Sequence, residues 1–323
     1  MSLAQENAKY FDAQASTYNE KDWHKILSEQ LHTAIRKNVG WIGLDWATDD
    51  DRSSSRKEVR LMDYACGTGM VTKALKPHIT AATGVDVSSG MLDVYKQIFQ
   101  TVPNDTSTAK TDIKVTAQQG DLLAQPADPA LASAEFYGFD IVACSLAFHH
   151  FADVDLAAQR MAERLKPGGV LLIIDLLHHD GGYGHGHGHD HGHGDGHGHG
   201  HGDGHGHGHG HGHAHGHEHG QGHGHNHEHG QHIHGEHHTP ASKQTPHSHL
   251  DVDHIDQVPE EVRKAIKVLS FGEETVKAAF DGAGLVDFQF MPLPEKAKFE
   301  QGAMKAERTI FFARAKKPLN LTH

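Results

Sequence analysis

The sequence predicts a doubly wound α/β fold, in which helices cover both faces of a mostly parallel sheet. A largely apolar run at residues 59–62 leads into a glycine-containing turn, and a helix-compatible run follows at residues 70–76. A second short strand-like run, residues 82–87, carries an acid at Asp86. A strand, a glycine turn and an acid about 20 residues further on are typical of nucleotide sites in open α/β sheets.

The turn at residues 63–69 has the sequence Asp-Tyr-Ala-Cys-Gly-Thr-Gly. Gly67 and Gly69 can adopt backbone angles that other residues avoid, and they let a ligand approach the main chain. Dinucleotide sites usually carry a third glycine, but Thr72 stands at that position. Asp63 would repel a pyrophosphate, whereas it can accept hydrogen bonds from an ammonium group or from bound water. The turn therefore favours a cofactor that carries an amino acid.

The turn resembles motif I of class I S-adenosylmethionine (SAM) dependent methyltransferases, although Ala65 stands where that family usually has glycine. Each motif alone has an ordinary alternative, since a glycine pair can form a plain βα turn and Asp86 or Asp121 can cap a turn or helix. Five motifs in the family's order favour the cofactor site. The other four motifs lie at residues 84–92, 120–122, 139–146 and 164–169.

The resemblance implies a role for individual residues in binding SAM. Asp86 would hold the ribose, Met91 would lie near the adenine, Asp121 would bind the adenine amino group, and an aromatic residue of the leader at residues 10–19 would close over the cofactor. The complete set of cofactor-binding residues that we expect is Tyr18, Asp63, Ala65, Cys66, Gly67, Gly69, Asp86, Val87, Met91, Gly120, Asp121, Leu122 and Ser145.

The resemblance covers about residues 57–177 and 258–316, and it implies a seven-stranded, mostly parallel, Rossmann-like methyltransferase sheet. Residues 286–290 and 309–315 would form a final antiparallel pair of strands. A helix at residues 22–39 carries an apolar stripe, which packs as core, covers the site, or does both. The expected divisions are a helical cap and linker at 1–56, a SAM-binding core at 57–177, a His/Gly-rich insert at 178–257 and the rest of the methyltransferase domain at 258–323.

The insert is the most unusual segment of the chain. From His185 to His238, 24 of 54 residues are histidine, and the tract contains no Lys or Arg. Its few apolar residues cannot offset the entropy cost of ordering so many glycines, so we predict disorder. Imidazole binds Zn²⁺ and Ni²⁺, so weak metal binding without a defined site is expected. A tolerated repeat expansion, a pH-dependent charge switch and a protein-binding role are alternatives.

His149 and His150 follow the fourth predicted strand, at the end where ligands bind in such sheets. They are candidate general bases for an acceptor that arrives protonated; alternatively, one packs under the loop and the other only lines the pocket. The motifs resemble the quinone-biosynthesis and small-molecule branch, which implies methyl transfer to an O, N or C nucleophile of a small molecule. A protein methyltransferase working in a complex and a non-catalytic SAM-binding or metal-buffering protein are alternatives.

Composition excludes several classes of partner. The formal net charge of −13 argues against a nucleic-acid surface, and no apolar run is long enough for a membrane span. The N-terminus carries no basic-then-apolar signal. Cys66 and Cys144 fall at predicted buried strand ends, as expected for thiols in a reducing compartment. These observations predict a cytoplasmic or nucleocytoplasmic protein.

Overall fold

The computed structural model describes residues 2–47, 57–100, 113–178, 266–268, 270–301 and 304–319. The histidine tract at 185–238, and with it the predicted metal binding, lies outside these ranges. Residues 48–56 of the predicted linker and residues 258–265, the first of the predicted C-terminal part of the domain, also lie outside them. Those predictions, and the domain divisions that depend on them, stay predictions.

Seven strands form one sheet, with the spatial order β3-β2-β1-β4-β5-β9-β6 when all strands are numbered along the chain. Neighbouring strands among β1 to β5 pair in parallel, whereas β9 runs antiparallel to both β5 and β6. This confirms the predicted mostly parallel sheet and its antiparallel last pair. The strands are β1 (Arg60–Tyr64), β2 (Ala81–Asp86), β3 (Lys114–Gln119), β4 (Phe139–Ser145), β5 (Leu165–Leu176), β6 (Val286–Pro292) and β9 (Ile310–Lys316).

The predicted helix at 22–39 is present as Asp22–Lys37, and the predicted helix after the glycine turn is present as Met70–Leu75. The leader, which lies within the cap expected at residues 1–56, is helical up to Gln14. The helices are α1 (Leu3–Gln14), α2 (Asp22–Lys37), α3 (Val39–Ile42), α4 (Met70–Leu75), α5 (Ser89–Gln100), α6 (Val154–Arg164) and α7 (Glu273–Gly282).

Two apolar clusters lie on opposite faces of the sheet, as a doubly wound fold requires. Helices α6 and α7 pack on one cluster, and α2 and α4 pack on the other. Strand β4 contributes to both, because successive side chains of a strand point to opposite faces. Val142 and Cys144 join the first cluster, while Ile141 and Ala143 join the second. Buried on both faces, β4 has the apolar character typical of a central parallel strand.

A small hairpin, which the sequence analysis did not predict, lies between β6 and β9. It consists of β7 (Ala297–Gln301) and β8 (Met304–Arg308), paired antiparallel. The hairpin packs against α2, where Gln30 Nε2 donates to the carbonyls of Glu295 (3.1 Å) and Lys296 (3.2 Å). These hydrogen bonds join α2 to the segment that leads into β7.

The strand order reverses between β1 and β4, and ligands of open α/β sheets bind in the crevice at such a switch point. The glycine turn follows β1 there, and the two consecutive histidines follow β4. Among the residues that the structure describes, none of the helices is both long and apolar enough to cross a membrane.

Candidate functional site

The turn after β1 has several residues in the left-handed backbone region. Gly67 and Gly69 have φ angles of 51° and 91°, as glycine readily allows, but Ala65 also has a positive φ, of 52°. A Cβ on Gly67 would meet no atom within 4 Å, so a ligand could come close to the main chain there. A Cβ on Gly69 would instead lie 2.4 Å from the Phe99 ring and 2.8 Å from the Tyr95 ring. Gly69 is therefore required for packing against α5.

Asp86, at the end of β2, binds the glycine turn. Its Oδ2 accepts from the Gly67 amide (2.8 Å) and its Oδ1 from the Ser88 amide (2.9 Å). Burial raises the pKa of this carboxyl, although the same backbone hydrogen bonds oppose the rise. Each carboxylate oxygen has a second lone pair, so Asp86 can accept further hydrogen bonds from a ligand.

Asp63 differs from the expectation that it would face the cofactor. Its Oδ2 accepts from the Thr72 amide (3.1 Å) and from Thr72 Oγ1 (2.7 Å), and it is not among the residues that line the cavity described below. Burial raises the pKa of Asp63 to about 7, against the effect of those hydrogen bonds. In this geometry, Asp63 anchors the first turn of α4 to the end of β1.

The leader covers the glycine turn and the start of α5. Asp12 Oδ1 accepts from Ser88 Oγ (2.6 Å) and from the Gly90 amide (2.9 Å), so a carboxylate of α1 caps the first turn of α5. Further along the leader, Asn19 Oδ1 accepts from Thr68 Oγ1 (2.9 Å). These contacts hold the segment that carries Tyr18 over the site.

The motif at residues 120–122 does not reach the cavity. Asp121 Oδ1 accepts from the Tyr64 hydroxyl (3.2 Å) and the Leu123 amide (2.8 Å), while the Leu122 amide donates to the Tyr64 hydroxyl (3.2 Å). A Cβ on Gly120 would lie 2.8 Å from Leu131, so this glycine permits close packing. The adenine-binding role of Asp121 and its neighbours stays a prediction.

The two consecutive histidines have different environments. His149 is buried: its Nδ1 lies 2.7 Å from Asp175 Oδ1, its amide donates to Asp175 Oδ2 (3.1 Å), and its carbonyl accepts from the Lys267 and Val268 amides. His150 lines the cavity, with its ring 4.2 Å from that of His149 and 5.4 Å from that of Phe11. The structure therefore places His150 where it can meet a ligand, with the buried His149–Asp175 pair behind it.

These elements enclose a cavity of about 130 Å³ between the glycine turn, the end of β4 and the two N-terminal helices. Nine predicted site residues line it; Asp63, Gly69, His149 and the 120–122 motif do not. The predicted residues in its wall are Tyr18, Ala65, Cys66, Gly67, Asp86, Val87, Met91, Ser145 and His150. Burial raises the pKa of the Tyr18 hydroxyl and of the Cys66 thiol, so both stay protonated at neutral pH.

Sequence reasoning missed several residues of the site. Asn7, Phe11 and His24 line the cavity, and Asp175 holds His149. Asp175 had a recognisable signal, because an acid within the apolar run of β5 is unusual unless it has a buried partner. Asn7 had none, since α1 has no clear apolar stripe. Burial, and secondarily Lys21, lowers the pKa of His24 to about 4, so its ring is neutral at neutral pH.

A metal site is not evident in the part of the chain that the structure describes. No group of three or more His, Cys, Asp or Glu side chains there is placed to hold a metal ion. Cys144 is buried within β4, away from the cavity wall. Metal binding by the 185–238 tract therefore stays a prediction from its histidine content.

Comparison with known proteins gives a consistent picture. A family model described as "Methyltransferase domain" matches residues 62–171. An uncharacterised methyltransferase of Schizosaccharomyces pombe is 32% identical over 184 residues, which are 53% of this chain and 61% of that protein. A ubiquinone biosynthesis O-methyltransferase of Coxiella burnetii is 29% identical over 115 residues, 36% of this chain and 42% of that protein. The chain thus spans less than two thirds of the length of these relatives.

Two solved structures show the same fold. A SAM-dependent methyltransferase from Anabaena variabilis has a TM-score of 0.51 at 13% identity, with 98% of this chain and 96% of that chain covered. Phosphoethanolamine N-methyltransferase 2 of Haemonchus contortus, solved with S-adenosyl-L-methionine, has a TM-score of 0.50 at 15% identity, with 98% of this chain and 60% of that chain covered. At such identities the likeness concerns the fold alone.

Proposed function

Because residues 62–171 match a methyltransferase-domain family model, we propose that this chain transfers the methyl group of SAM to a small-molecule nucleophile. One observation carries the proposal. The glycine turn, the Asp86 carboxylate and the His150 imidazole line the same cavity at the switch point of the sheet. The residues that would hold the cofactor and the candidate base therefore line one cavity.

The residues of the cavity fit SAM chemically. Asp86 offers carboxylate lone pairs to the two ribose hydroxyls, and the open space at Gly67 admits a ligand beside the main chain. Ser145 Oγ is buried without a hydrogen-bond partner among the described residues, so it is available to a ligand. Met91 provides an apolar surface for the adenine, and Tyr18 covers the cavity from the leader.

SAM supplies an electrophilic methyl group, so the protein's part is to align the acceptor and to exclude water. Helices α1 and α2 form a largely apolar roof, to which Phe11, Leu27 and Leu31 contribute. His150 takes the proton of an O–H or N–H nucleophile, since it is the histidine that lines the cavity beside the end of β4. His24 is the poorer base at neutral pH because of its lowered pKa.

The roof favours a small acceptor over a protein. Asn7, His24, Leu27 and Leu31 are buried, so a polypeptide acceptor would have to displace α1 and α2 to reach the cavity. The Coxiella burnetii relative, whose name refers to O-methylation in ubiquinone biosynthesis, also supports a small hydroxyl-bearing acceptor. Nothing in the described residues favours the alternative of a protein acceptor.

Calorimetric titration with SAM and S-adenosylhomocysteine tests the cofactor site. We expect wild-type protein to bind both, and Asp86→Ala to bind about 100-fold more weakly, since two charge-assisted hydrogen bonds and the support of Gly67 are lost. Asp93→Ala is a matched control, because Asp93 is an exposed acid of α5. Folded wild-type protein that binds neither ligand would contradict the proposal, as would equal affinity of the two variants.

A further inference from the structure

We propose that Asn7 and His150 bind the methyl acceptor, and that the acceptor is an uncharged small molecule whose nucleophile is a hydroxyl or an amine. This inference rests on the proposed function, because it identifies the partner of the same cavity. It adds a residue that neither the sequence motifs nor the comparisons assign, and it narrows the class of substrate.

Asn7 is unusual because α1 buries it although it is polar. Its exposed fraction is 6%, and it lines the cavity. Its Nδ2 donates to the His150 carbonyl (3.4 Å). A carbonyl can only accept, so the amide NH₂ must be the group that faces it, and the orientation of the Asn7 side chain follows.

The other half of the Asn7 amide is left without a partner. Asn7 Oδ1 is buried, and no described residue donates a hydrogen bond to it. A buried acceptor that stays unpaired is costly and rare in folded proteins. Since Asn7 is part of the cavity wall, a ligand that donates a hydrogen bond to Oδ1 would remove that cost.

A second buried polar atom without a partner belongs to the same wall. Ser145 Oγ, at the end of β4, has no hydrogen-bond partner among the described residues. The next residue, Leu146, has a φ angle of 52°, which is strained for a bulky side chain. Such strain is commonly kept where a backbone shapes a binding site. Two orphaned polar groups in one wall indicate a polar ligand.

The charge and the shape of the wall then limit the ligand further. Among the described lining residues there is no Lys or Arg, and Asp86 is the one acid, so the carboxylate or phosphate of an acceptor would find no Lys or Arg side chain to pair with. Phe11, Leu27, Leu31 and Phe151 contribute apolar surface. The cavity therefore suits an apolar body that carries an uncharged O–H or N–H group.

The chemistry of the step balances with these groups. The hydrogen of the acceptor's nucleophilic O–H or N–H group passes to a ring nitrogen of His150 as a proton. The freed electron pair forms the new O–C or N–C bond to the methyl carbon. The S–C bond breaks, and its electron pair stays on sulfur. Asn7 Oδ1 accepts a hydrogen bond from a second O–H or N–H hydrogen of the acceptor, which keeps its own proton and holds the nucleophile in line.

Binding of small probes to the full-length protein saturated with S-adenosylhomocysteine tests the assignment. The probes are 4-methylcatechol, 2-amino-4-methylphenol, the dimethyl ether of 4-methylcatechol and 3,4-dihydroxybenzoate, with affinities measured by ligand-observed NMR. We expect the first two to bind wild-type protein about 10-fold more tightly than the ether or the carboxylate. The ether has no hydrogen to donate to Asn7 Oδ1, and the carboxylate would be buried without a cationic side chain beside it.

The Asn7→Ala variant separates hydrogen bonding from packing. We expect it to bind 4-methylcatechol and 2-amino-4-methylphenol, the two hydroxyl probes without a charge, about 10-fold more weakly than wild type does. Its affinity for the ether and for S-adenosylhomocysteine should stay within about threefold of wild type. Alanine favours the helix, so the variant should fold. Lys9→Ala, an exposed position on the same helix, is the control and should change nothing.

Three results would overturn the assignment: an equal effect of Asn7→Ala on the hydroxyl probes and the ether, tightest binding of the carboxylate, or no binding of either hydroxyl probe. These results differ from a failure of the proposed function. In that case, wild-type protein would not bind S-adenosylhomocysteine at all.

Discussion

At the scale of single residues, Ala65 shows what a motif departure means physically. The sequence has alanine where the family usually has glycine, and the structure places that residue at a φ angle of 52°. Only glycine adopts this region without steric cost. Backbone conformation is therefore a physical reason for glycine at this position, and this chain carries a small amount of strain at the glycine turn.

Replacing Ala65 by glycine should stabilise the protein, against the usual direction of such a change. We expect Ala65→Gly to raise the free energy of unfolding by about 1 kcal/mol, because the left-handed conformation no longer brings Cβ close to the following carbonyl. Urea unfolding measures this directly.

The matched control for that prediction is Ala278→Gly, at an exposed position in the middle of α7. There, glycine should lower the free energy of unfolding by about 1 kcal/mol, since the helix loses its best former. If both variants were destabilised to the same extent, Ala65 would not be strained in solution.

The acids of the motifs show how far residue type alone can be interpreted. The sequence predicted site residues at Asp63, Asp86 and Asp121, but the structure has only Asp86 in the cavity wall. Asp63 accepts both of its hydrogen bonds from Thr72, and Asp121 accepts from Tyr64 and Leu123. A motif places an acid near the end of a strand, whereas the direction of its side chain depends on the groups that pack beside it.

At the scale of elements, the strands and α2 follow from local patterns, while the docking of α1 does not. Asp12 ties α1 to the first turn of α5 through Ser88 Oγ and the Gly90 amide. A carboxylate at that end of a helix is favoured by the unpaired amides and by the helix dipole. Asp12 is therefore one of the side chains that hold α1 over the cavity.

Loss of this cap should loosen the roof. We expect Asp12→Ala to lower the free energy of unfolding by about 1 kcal/mol and to speed amide hydrogen exchange in residues 3–20. Affinity for S-adenosylhomocysteine should fall several-fold, because Phe11 and Tyr18 are held over the cavity by the same segment.

The control for the roof is Asp22→Ala, which removes an exposed acid that pairs with nearby Lys25 on the surface of α2. An exposed pair of this kind contributes little, so the free energy of unfolding should change by less than about 0.5 kcal/mol. Unchanged hydrogen exchange in the Asp12→Ala leader would show that other contacts hold α1 in place.

At the scale of the whole molecule, the segments on either side of residues 179–265 meet on the sheet. Leu177 pairs with Phe271 in a parallel bridge, and the Phe271 amide donates to the Leu176 carbonyl (2.9 Å). Lys267 and Val268 donate to the His149 carbonyl. The described part of the fold therefore closes around the insertion point with its own hydrogen bonds, and its pairing does not need the histidine tract.

Removal of residues 181–240 should leave cofactor binding intact and abolish metal capture. Affinity for S-adenosylhomocysteine should stay within about twofold of wild type, since none of the cavity residues is removed. Retention on immobilised Ni²⁺ should be lost with the 24 histidines of the tract.

A full-length variant in which those histidines become asparagine is the matched control, because it keeps the length of the insert and removes only the imidazoles. It should behave like the deletion in both measurements. Nickel retention by either variant would show that the metal-binding groups lie elsewhere in the chain.

The sequence by itself determined the alternation of strands and helices, the glycine turn, the acid at the end of β2 and the histidines after β4. These features are local, since apolar periodicity and turn chemistry act over a few neighbouring residues. They were sufficient for the fold class and for nine of the residues in the cavity wall, but not for the docking of α1 on the start of α5 or for the β7–β8 hairpin beside α2.

Only the tertiary structure decided which side chains share the cavity. It separated His150 in the wall from His149 on Asp175, and it brought Asn7 to the carbonyl of a residue 143 positions away. Such encounters depend on how the helices pack across the sheet, so no local pattern contains them. The physical reason is that a hydrogen bond across the fold is selected by the position of both partners, and the sequence around either partner specifies only its own segment.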